Sequence, residues 1–88
     1  MATVVLNETA QEEFFALPLP IQDRVTEILV ALENWPSVSG VKTLRGDMAG
    51  YYRKRTGDYR ILFRASDRTA AALLTVVRLG HRKDVYDE

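Results

Sequence analysis

The stretch Tyr51-Tyr52-Arg53-Lys54-Arg55-Thr56-Gly57-Asp58-Tyr59-Arg60-Ile61-Leu62-Phe63-Arg64-Ala65 decides the fold. The turn-prone pair Thr56-Gly57 separates two runs of strand-forming residues, which predicts an antiparallel hairpin with strands over 51–55 and 59–65. Side chains alternate faces along a strand, so Tyr51, Arg53 and Arg55 share one side, and Tyr52 and Lys54 the other. On the second strand Tyr59, Ile61 and Phe63 oppose Arg60, Leu62 and Arg64. The apolar trio is the expected core side, which leaves Arg60 and Arg64 on the open side.

Working outward, Ser66 to Thr69 reads as a second turn, and Ala72 to Leu79 as a largely apolar strand buried in the sheet centre. Gly80 is expected to break it, leaving His81 to Glu88 as a short tail. Toward the N-terminus, Thr3 to Leu6 is a first strand ended by Asn7. Thr9-Ala10-Gln11-Glu12 has the form of a capping box opening a short helix to about Ala16. Pro18 and Pro20 interrupt that helix, and Pro20 suits the first turn of the next. There Ile21, Val25, Ile28, Leu29 and Leu32 form one apolar stripe. Asn34, Pro36 and Gly40 end the second helix, and Trp35 is expected to cover its end. The expectation is a single α+β domain over residues 1–88. It has an N-terminal strand, a two-helix hairpin, a three-stranded antiparallel meander and a short C-terminal tail, with the helices on one face of the sheet.

Eighty-eight residues, 47% of them apolar and with eight aromatics, suffice for one unaided core and argue against disorder. The absence of cysteine excludes a disulfide framework and thiolate chemistry. One histidine and no acidic cluster of ligand spacing give a metal site no support. No cofactor fingerprint is present, because the glycines of Leu44-Arg45-Gly46-Asp47-Met48-Ala49-Gly50 lack the spacing of a phosphate- or dinucleotide-binding loop. No apolar run approaches the roughly 20 residues of a membrane helix. Nor do residues 1–11 read as a secretory signal, so no membrane partner and a cytoplasmic location are expected.

The net charge of zero hides a division. Residues 1–40 hold six acids and one base, a net of −5, whereas residues 42–83 hold eleven bases and only Asp47, Asp58 and Asp67, a net of +8. Such asymmetry points to a polyanionic partner. If the hairpin keeps Arg53, Arg55, Arg60 and Arg64 on one open face, several guanidiniums converge beside a phenol. That arrangement can hold a phosphodiester bidentately and stabilise the added charge of its pentavalent transition state. A solvated basic face laced with salt bridges would have the same composition.

Three stretches carry a resemblance: Leu44-Arg45-Gly46, then Gly50 to Phe63, then Val76-Val77-Arg78-Leu79-Gly80-His81-Arg82-Lys83-Asp84-Val85-Tyr86. The chain resembles the RelE family of toxins from type II toxin-antitoxin pairs, most specifically in the Arg-x-Gly-Asp-Tyr-Arg hairpin and the Gly-His-Arg-x-Asp-Val-Tyr tail. The resemblance implies a microbial-ribonuclease-like fold, cleavage of messenger RNA in the ribosomal A site, and a RelB-like antitoxin as partner. By motif the family's active positions fall on Arg53, Arg55, Arg60, Arg82 and Tyr86; the basic residues Arg45, Lys54, Arg64, His81 and Lys83 are further candidates for RNA binding.

RelE proper has lysines where this chain has Arg53 and Arg55. An arginine, with its pKa above about 12, is a poor general base. Tyr86 is therefore the candidate base, since nearby arginines favour a phenolate, and Lys54 and His81 are the alternatives. His81 could equally orient the tail by hydrogen bonding. The expected reaction needs no metal: the RNA 2′-OH attacks the adjacent phosphate and leaves a 2′,3′-cyclic phosphate. Arg60 would clamp the phosphate, and Arg82 would stabilise the leaving oxygen. The rival readings are a ParE-like toxin that inhibits DNA gyrase without cleaving anything, and a catalytically degenerate homologue that only binds its antitoxin.

Overall fold

The computed structural model describes residues 1–83. In chain order they form β1 (Thr3–Leu6), α1 (Glu8–Phe15), α2 (Leu19–Ala31), a 3-10 turn (Leu32–Asn34), β2 (Lys42–Thr43), a second 3-10 turn (Gly46–Met48), β3 (Tyr51–Thr56), β4 (Tyr59–Ala65) and β5 (Leu73–His81). The five strands lie in the order β1-β5-β4-β3-β2. Only the β1–β5 pair is parallel. The α+β class and the meander are those expected. Among the described residues, no helix is long and apolar enough to cross a membrane.

Helix α1 is capped two residues before the expected position, by Asn7 rather than Thr9. Asn7 donates its amide to the Val76 carbonyl at 3.0 Å, closing the β1–β5 ladder, and its side-chain oxygen accepts from the Ala10 amide at 2.8 Å. One residue thus ends a strand and caps a helix. The Thr9 box needs extended backbone where the chain is already helical. Asn7→Ala is expected to cost about 0.5–2 kcal/mol of stability, read from urea unfolding, with Asn7→Asp close to neutral. Pro20 sits in the first turn of α2 as expected. The Gln22 amide donates to the Leu17 carbonyl at 3.0 Å and ties the two helices together.

Strand β5 does not stop at Gly80. The ladder continues through Arg60 opposite Gly80 and Tyr59 opposite His81. A bulge interrupts it, because Leu62 pairs with Arg78 but Phe63 with Val76, leaving Val77 as the extra residue. Strict alternation would send Val76 and Leu79 to opposite faces. The bulge puts both in one core, each almost fully buried. That core packs Ile61, Phe63, Leu74, Val76 and Leu79 against Val25 and Leu32. Trp35 covers the end of α2, its indole N–H donating to the Asp67 carbonyl at 2.9 Å.

The two-residue β2 was too short to read from sequence. Its pairing, Lys42 opposite Arg53 and Thr43 opposite Tyr52, adds a fifth strand. It also delivers the following segment to the sheet's other face, where Leu44 and Leu62 are buried with Met48, Tyr51 and Val77 packed around them. The face expected to be open therefore carries a small apolar cluster of its own.

Candidate functional site

Register decides which cations meet. Residues directly opposite on paired strands point to the same side. Tyr51 faces Arg64, Arg53 faces Leu62 and Arg55 faces Arg60. All six lie on the face away from the helices, joined by Lys42 opposite Arg53. Beyond Arg60, the next position on β5 is Gly80, which adds no side chain to that row. Arg53 and Arg60 are half-buried, whereas Arg55 and Arg64 are exposed. Among the described residues Arg55 and Arg64 have no hydrogen-bonding or ion-pair partner, so their charge is not spent on the fold. Arg45 is exposed on the segment leaving β2 and lines, with Val41 to Leu44, a cleft of about 820 Å³.

Two of the residues expected at the site lie elsewhere. Lys54 pairs with Ile61 and so faces the helix side. Its ammonium donates to the Ser39 carbonyl at 2.9 Å, and a Cβ on Gly40 would stand only 2.6 Å from it. Lys54 anchors the loop after α2, with the sheet between it and the arginines. His81 likewise pairs with Tyr59 on the helix side, their rings edge to face at 5.5 Å. It lines a hollow of about 260 Å³ with Glu13, Leu17 and Pro18, and its Nδ1 accepts the Lys83 amide at 3.2 Å. This geometry suits orienting the tail.

The start of the tail is held at the hairpin tip. Arg82 donates its amide to the Asp58 carbonyl at 2.7 Å, and its Nε lies 3.9 Å from the Asp58 carboxylate in an exposed, loose pair. Asp58 belongs to the Gly57-Asp58 turn that joins β3 to β4, so Arg82 begins beside the Arg55–Arg60 row. Lys83 is exposed. Tyr86 lies outside the described residues.

One cation that looks free in sequence is structural. Arg78 donates from Nε and Nη2 to Glu13 Oε2, both at 2.9 Å, while Glu13 Oε1 accepts the Leu79 amide at 2.9 Å. Glu13 thereby fills the edge of β5 beyond the end of β1. Among the described residues no three His, Cys, Asp or Glu side chains gather where a metal could be held. Sequence reasoning missed Lys42 and the shelf formed by Met48, Tyr51 and Val77. The signal for the shelf was an apolar Leu62 between two outward-facing arginines.

A five-stranded sheet covered by two helices on one side and bearing a cationic row on the other defines a small α+β domain with one cationic face. Residues 4–86 match the family model of the ParE toxin of type II toxin-antitoxin systems. Toxin RelG of Mycobacterium tuberculosis is 34% identical over 85 residues, 96% of this chain and 94% of that protein. The toxin-antitoxin complex RelBE2 from Mycobacterium tuberculosis contains a chain with a TM-score of 0.77 and 32% identity, covering 91% of this chain and 96% of that one. The RelB-RelE complex from Methanococcus jannaschii gives 0.74 and 26%, covering 94% and 95%. The chain belongs to the RelE/ParE superfamily of type II toxins.

Proposed function

We propose that this toxin is a ribosome-dependent messenger RNA endoribonuclease whose arginine face grips the scissile phosphate. The observation that carries the reading is Arg55 standing directly opposite Arg60. Two guanidiniums held opposite each other on one face can grip a phosphodiester from two sides. Arg60 clamps the phosphate, Arg53 and Arg55 neutralise charge around it, and Arg82 stabilises the leaving oxygen. Tyr86 takes the proton of the attacking 2′-OH. With Lys54 and His81 on the helix side, the phenol is the base best compatible with the site.

A face with four to six phosphate contacts binds free RNA weakly at physiological salt, with a slope of about −0.7 per contact. Phosphate contacts carry little sequence information. Both points favour a substrate presented by the ribosome. The similar RelBE2 and RelB-RelE toxins were solved with their antitoxins, which supports a RelB-like partner for this chain. A groove of about 480 Å³ between β1, α1 and α2, with Phe15 exposed at its edge, offers such a partner apolar area to cover.

The family-model match favours a second reading, a ParE-like toxin that contacts DNA gyrase. Sequencing transcript ends and scoring DNA breaks after induction without antitoxin separates the two. Codon-linked cuts are the expected result. DNA breaks with intact messages would replace the nuclease by the gyrase reading, and neither would leave a degenerate antitoxin-binding homologue.

A further inference from the structure

The apolar shelf on the cationic face has no counterpart in the packing of the main core. Leu62 is 1% exposed and Leu44 4%, although among the described residues both long helices, α1 and α2, pack on the other side of the sheet. Their cover is Tyr51, Met48 and Val77, all half-buried and so each with one side in water. Tyr51 sits opposite Arg64 and, by strand geometry, roughly 7 Å and 13 Å along β3 from Arg53 and Arg55. An aromatic ring on an apolar bed, flanked by guanidiniums, is the pairing by which single-stranded nucleic acids are held: bases stack and phosphates pair with the cations.

We infer that the shelf is a nucleobase subsite, with Tyr51 as the stacking platform for an unpaired base next to the phosphate held by the arginines. This inference rests on the nuclease reading above and extends it from phosphate to base. The occupant follows from the surroundings. The shelf is apolar, while Arg64 and Lys42 beside it are cationic, so a planar apolar group carrying an adjacent anion fits both parts. An apolar side chain of a protein partner would satisfy the shelf but leave Arg64 and Lys42 without an anion. Stacking adds binding energy without reading hydrogen-bond patterns, so the subsite favours the larger purine face over a pyrimidine and fixes no single base.

The test is cleavage of a ribosome-bound message in which one nucleotide flanking the cut, on either side in turn, is made abasic. With the wild-type toxin, removing the stacked base is expected to raise KM roughly 5- to 100-fold with little change in kcat, the loss of one base–aromatic stack. Tyr51→Leu, which still covers Leu62, is expected to show the same loss on the intact message and no further loss on the abasic one. Tyr51→Phe should cleave within a few-fold of wild type. Unchanged kinetics on both abasic messages, or in Tyr51→Leu, would overturn the subsite. If Arg60→Ala is inactive in the same assay, the nuclease reading stands without it. Failure of the wild-type toxin to cut any message would overturn both. The abasic arm uses unaltered protein, so a poorly folded Tyr51→Leu would not block the decision.

Discussion

Arg60→Ala is expected to lower the rate of message cleavage about 10²- to 10³-fold, chiefly in kcat, and to abolish toxicity on induction. Arg60 is central to the cationic row, with Arg55 opposite on β3 and the side-chain-free Gly80 opposite on β5. Arg60 is half-buried, so water screens it less than the exposed Arg55 or Arg64. A planar fork can hold two phosphate oxygens at once, and the extra charge of the pentavalent transition state strengthens that hold relative to the ground state. Arg60→Lys keeps the charge but not the fork and is expected to fall between alanine and wild type. Arg60 also makes a contact within the fold, so the melting temperature of Arg60→Ala is measured beside its activity. Loss of activity far beyond any loss of folded protein, read from the melting temperature, is the predicted combination. Wild-type cleavage by Arg60→Ala would remove the phosphate clamp from the mechanism.

The hairpin and the side on which its arginines stand were legible in sequence because both follow from period-two alternation around one glycine-bearing turn. Parity alone also told that Lys54 faces away from Arg53 and Arg55. It did not show that Lys54 holds a loop through the Ser39 carbonyl, a contact between residues far apart in sequence. Where alternation fails, so did the reading. The bulge at Val77 changes the parity of β5 between Val76 and Leu79, and nothing in an apolar β-branched run marks which residue is the extra one. The two residues of β2 form a strand only because β3 is there to pair with them, so no local signal announces it. Asn7 read as the end of a strand. It is also the cap of α1, because parallel pairing with β5 leaves no linker between the two elements. Each miss is a tertiary constraint overriding a local preference. Together they account for the apolar shelf, which needs β2, the bulge and the hairpin at once.

The largest expected effect on stability is that of Phe63→Ala. Phe63 lies three residues from Arg60 on the same strand, but on the opposite face, and is fully buried. It stacks on Tyr52 at 5.5 Å and meets the edge of Trp35 at 5.8 Å, so its ring joins β3 and the end of α2 to the central strands. Truncation to alanine loses that transfer energy and leaves a cavity among residues held by two layers, at a cost of about 3–5 kcal/mol. A domain of this size has on the order of 4–13 kcal/mol in all, so much of the population would unfold at physiological temperature. Urea unfolding should show a lower midpoint with an unchanged slope, and the melting temperature should fall by more than about 12 °C. Toxicity would fall with it for want of folded protein. An antitoxin that binds only the native state should restore the fold of Phe63→Ala by mass action, yet has no effect on the chemistry lost in Arg60→Ala. A Phe63→Ala protein as stable as wild type would mean that the aromatic cluster does not join the helical layer to the sheet. Opposite outcomes at two residues on one strand thus separate the face that folds the toxin from the face that acts.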